Sequence, residues 1–189
     1  MQEKVDFPNR KATRKYTSQA GDLVIGRIIN RAGDYYRVDI GDRFDGMLQY
    51  YDFEGATKRN RPQIDNNSLI YARVQESNLH MNPVLTCKSN FNKKTWSSGE
   101  AQFGPILGGY VMDVPIPLCQ KLLKEEGISI LQSLGNAIKF EIVIGYNGKI
   151  WINSGNSKHT ILLANALMRA DTMSHQEFRD LVERIRRIS

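Results

Sequence analysis

Between Leu23 and Lys88 the chain is made of short apolar-rich runs, several with apolar side chains at every second position, broken by glycine, aspartate and asparagine. A period of two marks a strand with one buried face, because successive side chains leave a pleated strand on opposite sides. The runs are Leu23–Ile29, Tyr35–Ile40, Met47–Tyr50, Leu69–Val74 and Val84–Lys88. In the second, Tyr36, Val38 and Ile40 oppose Tyr35, Arg37 and Asp39; in the fourth, Ile70, Ala72 and Val74 share a side. Five short strands in about seventy residues suit a small antiparallel barrel of the OB-fold kind. Serine, asparagine, lysine and glycine then interrupt the pattern, and residues 91–100 are expected to be a linker.

The second half mixes periods. Tyr110–Val114 predicts a strand, and Pro115 and Pro117 suit the first turn of a helix with an apolar face of Leu118, Leu122 and Leu123. Gly127 is expected to close that helix, and Ile128–Leu134 to form a short second one. Phe140, Ile142 and Ile144 alternate as a strand, Asn147-Gly148 supplies a two-residue turn, and Lys149–Asn153 returns as its partner. Ser157–Ala170 is apolar enough for a buried helix. The last helix carries a capping box, Ser174 with Glu177, and an apolar stripe of Phe178, Leu181, Val182 and Ile185. The expected fold class is therefore α+β in two domains: an OB-type β-barrel over residues 21–90, then a KH-like βααββα unit with a terminal helix over 101–189, preceded by a basic arm over 1–20.

At 189 residues the chain suffices for one medium domain or two small ones, and its 41% hydrophobic and 24% charged residues exclude a fibrous or wholly disordered protein. No run approaches the roughly 18–20 apolar residues of a membrane span, and Met1–Tyr16 is polar, so neither membrane nor secretion is expected. The formal charge is +6, distributed as +3 over residues 1–20, zero over 21–90 and +3 over 91–189. The neutral middle nonetheless holds the densest basic cluster, Lys58-Arg59-Asn60-Arg61. A basic balance favours polyanionic partners in a general way.

Enzyme chemistry finds little support. His80, His159 and His175 are isolated, with no metal-ligand spacing. The Gly148-Lys149 pair lacks the earlier glycine of a P-loop, and no nucleophile elbow or catalytic carboxylate pair is visible. Asp34, Asp39, Asp42 and Asp45 read as solvated turn residues rather than a Mg²⁺ site, and Cys87 and Cys119 as core thiols. No catalytic residue, metal or cofactor is expected.

Binding chemistry is better supported. OB barrels hold single-stranded nucleic acid by stacking bases on aromatic rings while cations follow the phosphates. Tyr35, on the face opposite the expected core, and Phe44 in the next turn are stacking candidates; Tyr35 equally fits a half-buried strand tyrosine, and Tyr36 belongs to the core. Lys58, Arg59 and Arg61, followed by Pro62, are expected on a constrained loop where three mutually repelling cations gain most from a polyanion. A KH domain clamps a nucleic-acid backbone with a GxxG loop between its first two helices. Here the formal match, Gly145-Tyr146-Asn147-Gly148, falls between two strands. The clamp position reads Glu125-Glu126-Gly127-Ile128, whose carboxylates would repel phosphates. This half is expected to hold proteins rather than RNA.

Two blocks, Phe53-Glu54-Gly55-Ala56-Thr57-Lys58-Arg59-Asn60-Arg61-Pro62 and Phe140–Ile152, strongly resemble the S1/KH-type cap subunits of the RNA exosome, and Gly21–Gly26 fits the start of their S1 domain. The resemblance covers about residues 20–185. It implies a non-catalytic, RNA-binding subunit that scaffolds a ring of RNase PH-like subunits with other cap proteins and guides single-stranded RNA to a separate nuclease in 3′→5′ processing and decay. It further implies residence in nucleus, nucleolus and cytoplasm. Lys58, Arg59 and Arg61 would lie near the pore; the Gly145–Gly148 loop, with Asn147, would pack on the S1 domain, and Trp151 would be a packing residue. Many S1 domains carry a histidine where this chain has Gln49, and the family has a further N-terminal domain of which residues 1–20 would be a remnant. The alternatives are a free-standing S1/KH factor in translation or ribosome assembly and, from a different class, an exoribonuclease acting by itself.

Overall fold

A computed structural model describes residues 16–89, 94, 101–170, 172–173 and 175–188. Each of the five runs forms a strand: β1 (Leu23–Ala32), β2 (Tyr35–Asp39), β3 (Gly46–Phe53), β4 (Leu69–Asn78) and β5 (Met81–Cys87). β1 pairs antiparallel with β4 through Leu23–Arg27 and with β2 through its second half, with a bulge between Ile28 and Asn30. The bulge bends one strand around two neighbours. The order β1-β2-β3-β5-β4, with β4 returning to β1, closes the barrel, β3 and β5 running parallel. Val24, Ile28, Tyr36, Val38, Leu48, Tyr50, Phe53, Ile70, Val74 and Leu85 fill its interior. Each such side chain contributes about 1.5–3 kcal/mol of burial.

β6 (Gly104–Ile106) was not legible in the sequence. It pairs with Leu69–Tyr71 of β4, extending the barrel sheet from beyond the expected linker. A three-residue Gly-Pro-Ile strand shows no alternation and is held by its neighbour alone. Of the residues 91–100 expected as linker, only Lys94 is among those described, and most of the basic arm also lies outside them. The part of the arm that is described packs on the barrel: Tyr16 is buried, its hydroxyl donating to Asp22 at 2.8 Å.

The second half follows the order β7 (Tyr110–Asp113), α1 (Ile116–Leu122), α2 (Glu125–Ala137), β8 (Phe140–Gly145), β9 (Lys149–Ser154), α3 (Ser157–Arg169) and α4 (His175–Ile188). The sheet order is β7-β9-β8, all antiparallel. Ile150 and Ile152 of β9 join Leu118, Leu122, Leu134, Leu163, Leu167, Phe178 and Ile185 from all the helices in one core. Phe178 and Ile185 are buried, as the apolar stripe of α4 requires; the capping serine, Ser174, lies outside the described residues. Among the described residues no helix is long and apolar enough to cross a membrane.

One expectation fails at Gly127. α1 ends at Leu122 and α2 begins at Glu125, so Gly127 sits inside the first turn of α2 rather than closing α1. A Cβ there would come within 2.2 Å of the Leu122 Cα. The glycine is needed because a two-residue connection presses one helix on the other, not because a helix stops.

Candidate nucleic-acid interface

The loop after β3 is built to display its cations. The Ala56 amide donates to the Phe53 carbonyl, the Thr57 amide to the Asn60 carbonyl and the Asn60 amide to Thr57 Oγ1, each at 3.1 Å. These bonds close a turn with Lys58 and Arg59 at its tip, and Lys58 through Arg61 are all exposed. The exit is fixed from the core: the buried Tyr36 hydroxyl donates to the Pro62 carbonyl at 2.6 Å and accepts from the Ile64 amide at 3.2 Å. Tyr36 is therefore core, as expected, and also anchors the loop. Arg61 turns back onto β3, donating from Nη2 to the Tyr51 hydroxyl at 3.0 Å with its guanidinium carbon 5.6 Å from that ring's centre.

A further cation borders the loop's anchor. Arg31, at the end of β1, donates from Nε to the Tyr50 hydroxyl at 3.1 Å and lies 5.2 Å from the Tyr50 ring and 5.9 Å from the Tyr36 ring. The nearby Asp52 carboxylate is engaged by Lys88 at 3.4 Å.

The outward face of β2 and β3 adjoins the loop. Tyr35 lies opposite Gln49, so Tyr51, two residues further, is its diagonal neighbour on the same face, about 7–8 Å away. Tyr35 and Tyr51 are both half-buried, with Gln49 exposed between them. The structure thus places Tyr35 with the basic loop but not Phe44. That ring precedes β3, roughly 20 Å along the strand from Tyr51, with the Arg43 guanidinium 5.3 Å from its centre. The sequence by itself does not single out Tyr51 or Arg31. Alternation with the core residue Tyr50 puts Tyr51 outside, and that signal was available.

The β8–β9 turn does different work. Asn147, buried, donates from Nδ2 to the carbonyls of Ile25 at 2.8 Å and Ile40 at 2.9 Å, while its Oδ1 accepts from the Ile25 amide at 3.3 Å. The Tyr146 amide donates to the Leu23 carbonyl at 2.7 Å. The turn is stapled to β1 and, just past the end of β2, to Ile40 through all of the asparagine's amide groups. Gly148 takes φ +74°, and a Cβ on Gly145 would strike Asn147 Oδ1 at 2.3 Å. Trp151 is buried on β9, its indole N–H donating to the Gly108 carbonyl at 2.8 Å.

The KH clamp is missing for a reason other than the one expected. The α1–α2 connection is only Leu123-Lys124, with no room for a four-residue loop, and Glu125 opens α2 beside Lys121 and Lys124. Connection length, more than carboxylate repulsion, removes the clamp.

Burial pushes the Cys119 thiol up to about 12, a rise moderated by the backbone N–H of Gly148, and pushes Cys87 well above the ordinary thiol value. Both sulfurs are protonated and inert near neutral pH. Among the described residues no group of histidine, cysteine, aspartate and glutamate side chains is placed to hold a metal ion.

Residues 16–99 match the family model described as the S1 domain of exosome complex component RRP40, and residues 109–158 match a KH domain model. The chain is 36% identical over 169 residues to a Dictyostelium discoideum protein named as an exosome complex component rrp40, covering 89% of this chain and 68% of that one. It is 35% identical over 177 residues to exosome complex component rrp40 of Schizosaccharomyces pombe, covering 92% and 72%. Against exosome complex component RRP40 of Homo sapiens it is 33% identical over 174 residues, covering 91% and 60%. In fold it is similar to a crystal structure described as an exosome complex RNA-binding protein, with a TM-score of 0.73, 22% identity, and coverage of 93% of this chain and 99% of that chain. The architecture is α+β: an S1-type barrel followed by a KH-type domain.

Proposed function

The chain belongs to the RRP40 family of exosome components, and from that premise we propose that it is an RNA-binding cap subunit, one that holds partners and guides single-stranded RNA without cutting it. The observation that carries the RNA half is the loop from Thr57 to Arg61, closed by its own hydrogen bonds and anchored by Tyr36. Cations held in place on such a loop release condensed counterions when they meet phosphates, and the strength of that contact does not depend on base sequence. A guide for many RNAs needs that indifference.

The partner half rests on family membership and on the second domain, which has spent its GxxG-like turn on the barrel and has no clamp between its helices. The partners we propose are the other cap subunits and a ring of RNase PH-like subunits, with the nuclease reached indirectly. The places of work are nucleus, nucleolus and cytoplasm. In this reading the chain contributes no chemistry of its own.

Purification of the tagged chain from cells is the test. Recovery of ring and nuclease subunits is expected, and recovery of ribosomal particles alone would overturn the cap reading. The pure chain should leave labelled single-stranded RNA at full length with either Mg²⁺ or phosphate; progressive shortening would show an exoribonuclease instead.

A further inference from the structure

Tyr51 stands half-buried on the outer face of β3, while its neighbour Tyr50 fills the core. Its hydroxyl is occupied by Arg61, which remains exposed and has given up one of its five N–H donors to that bond. The guanidinium is thus held over one side of an aromatic ring towards its hydroxyl, at the foot of the loop that displays Lys58 and Arg59. Tyr35 continues the same face one diagonal away. A ring beside a fixed cation, next to further cations, matches the two halves of a nucleotide: a flat base and a phosphate.

We propose that Tyr51 is a base-stacking residue of the RNA path and that its hydroxyl holds Arg61 against the adjoining phosphate, so that ring and guanidinium take one nucleotide together. The inference deepens the cap-subunit reading and rests on it. Every base has a π-face, so a stacking step fixes the strand without selecting sequence. The tether also pre-sets the orientation of Arg61, so less side-chain freedom is lost when RNA arrives.

The test uses the full chain and single-stranded RNA containing one 4-thiouridine or one 2-aminopurine, at low ionic strength. Ultraviolet cross-linking of the unaltered chain should attach the thiouridine to the peptide holding Tyr51, which needs no variant to fold. Tyr51→Leu should weaken binding roughly 5- to 100-fold and abolish the quenching of 2-aminopurine, while leaving the salt dependence in place. Tyr51→Phe, which keeps the ring and the strand, should retain the quenching and lose only about two- to threefold in affinity. Lys58→Ala with Arg59→Ala should do the reverse of Tyr51→Leu, lowering the salt slope and sparing the quenching. RNA binding with cross-links only elsewhere and an unaltered Tyr51→Leu affinity would overturn the stacking role and leave the guiding role standing. No RNA binding at all, or binding indifferent to Lys58 and Arg59, would overturn the guiding role itself.

Discussion

The β8–β9 turn and the loop after β3 are made of similar material: glycine, an asparagine and at least one lysine within a few residues. In the first, Asn147 is only 7% exposed; it donates to the Ile25 and Ile40 carbonyls and accepts from the Ile25 amide. In the second, Asn60 is exposed, its backbone closes a local turn, and the cations on either side face water. The difference lies in where the polar groups find partners. A turn whose groups are satisfied by another domain is a joint; a turn satisfied within itself leaves its side chains free for a ligand. A motif such as GxxG is silent on this choice until the surrounding elements are placed.

The largest effect that could break this contrast is at the joint. Asn147→Ala removes both amide donors from the Ile25 and Ile40 carbonyls and the acceptor from the Ile25 amide. Leaving those buried groups unpaired costs about 2–4 kcal/mol, or about 5–10 °C in melting temperature for a chain of this size. Calorimetry should show that loss, while RNA affinity per folded molecule keeps its salt slope. An unchanged melting temperature would mean the joint is held by apolar packing and the Tyr146–Leu23 backbone bond without the asparagine.

Charge reversal of the loop should give the opposite pattern. Lys58→Glu, Arg59→Glu and Arg61→Glu together should lower the logarithmic salt slope of single-stranded RNA binding by about 2, at roughly 0.7 per phosphate contact. The melting temperature should move little, because all three side chains are exposed. The assembled complex should protect RNA less while staying assembled. Unaltered protection would remove the loop from the RNA path.

The ease of reading these two regions from sequence differs for a physical reason. Barrel strands are legible where one buried face imposes a period of two, as on β2 and β4, and the basic loop because its cations are consecutive in the chain. The joint was anticipated only through a resemblance: 122 residues separate Asn147 from Ile25, and no local pattern reports so distant a partner. Gly127 misled because close approach of two helices and the end of one call for the same residue. Alternation shows that Tyr51 faces outward, but its pairing with Arg61, ten residues away across a loop, leaves no local pattern.

Tyr36 sharpens the contrast because it belongs to both sides. Its ring is fully buried in the barrel core, 4.7 Å from Tyr50 centre to centre, yet its hydroxyl fixes the exit of the exposed loop. Tyr36→Phe keeps the ring and unpairs the Pro62 carbonyl and Ile64 amide, at a cost of about 1–2 kcal/mol. Melting should drop by a few degrees and RNA affinity by a small factor, with the salt slope retained because no cation is lost. A change in stability alone would show that the loop holds its shape without the anchor.

The smallest effect concerns the thiol that lies against the joint. Cys119 is held protonated by burial, its pKa raised from 9.0 to about 12, with the Gly148 N–H facing the sulfur. A thiol reagent at pH 8 should therefore label the folded chain far more slowly than free cysteine. Because the folded value is raised, the thiol leaves stability unaffected below about pH 9, and the unfolded state then gains by ionising as pH climbs towards 12. Cys119→Ala should flatten part of that alkaline decline. Asn147→Ala should speed labelling if the turn it staples also shields the sulfur, whereas Tyr36→Phe and the loop reversals should not. Equal acceleration by all of them would mean that the two turns open together, and the distinction between joint and ligand loop would fail.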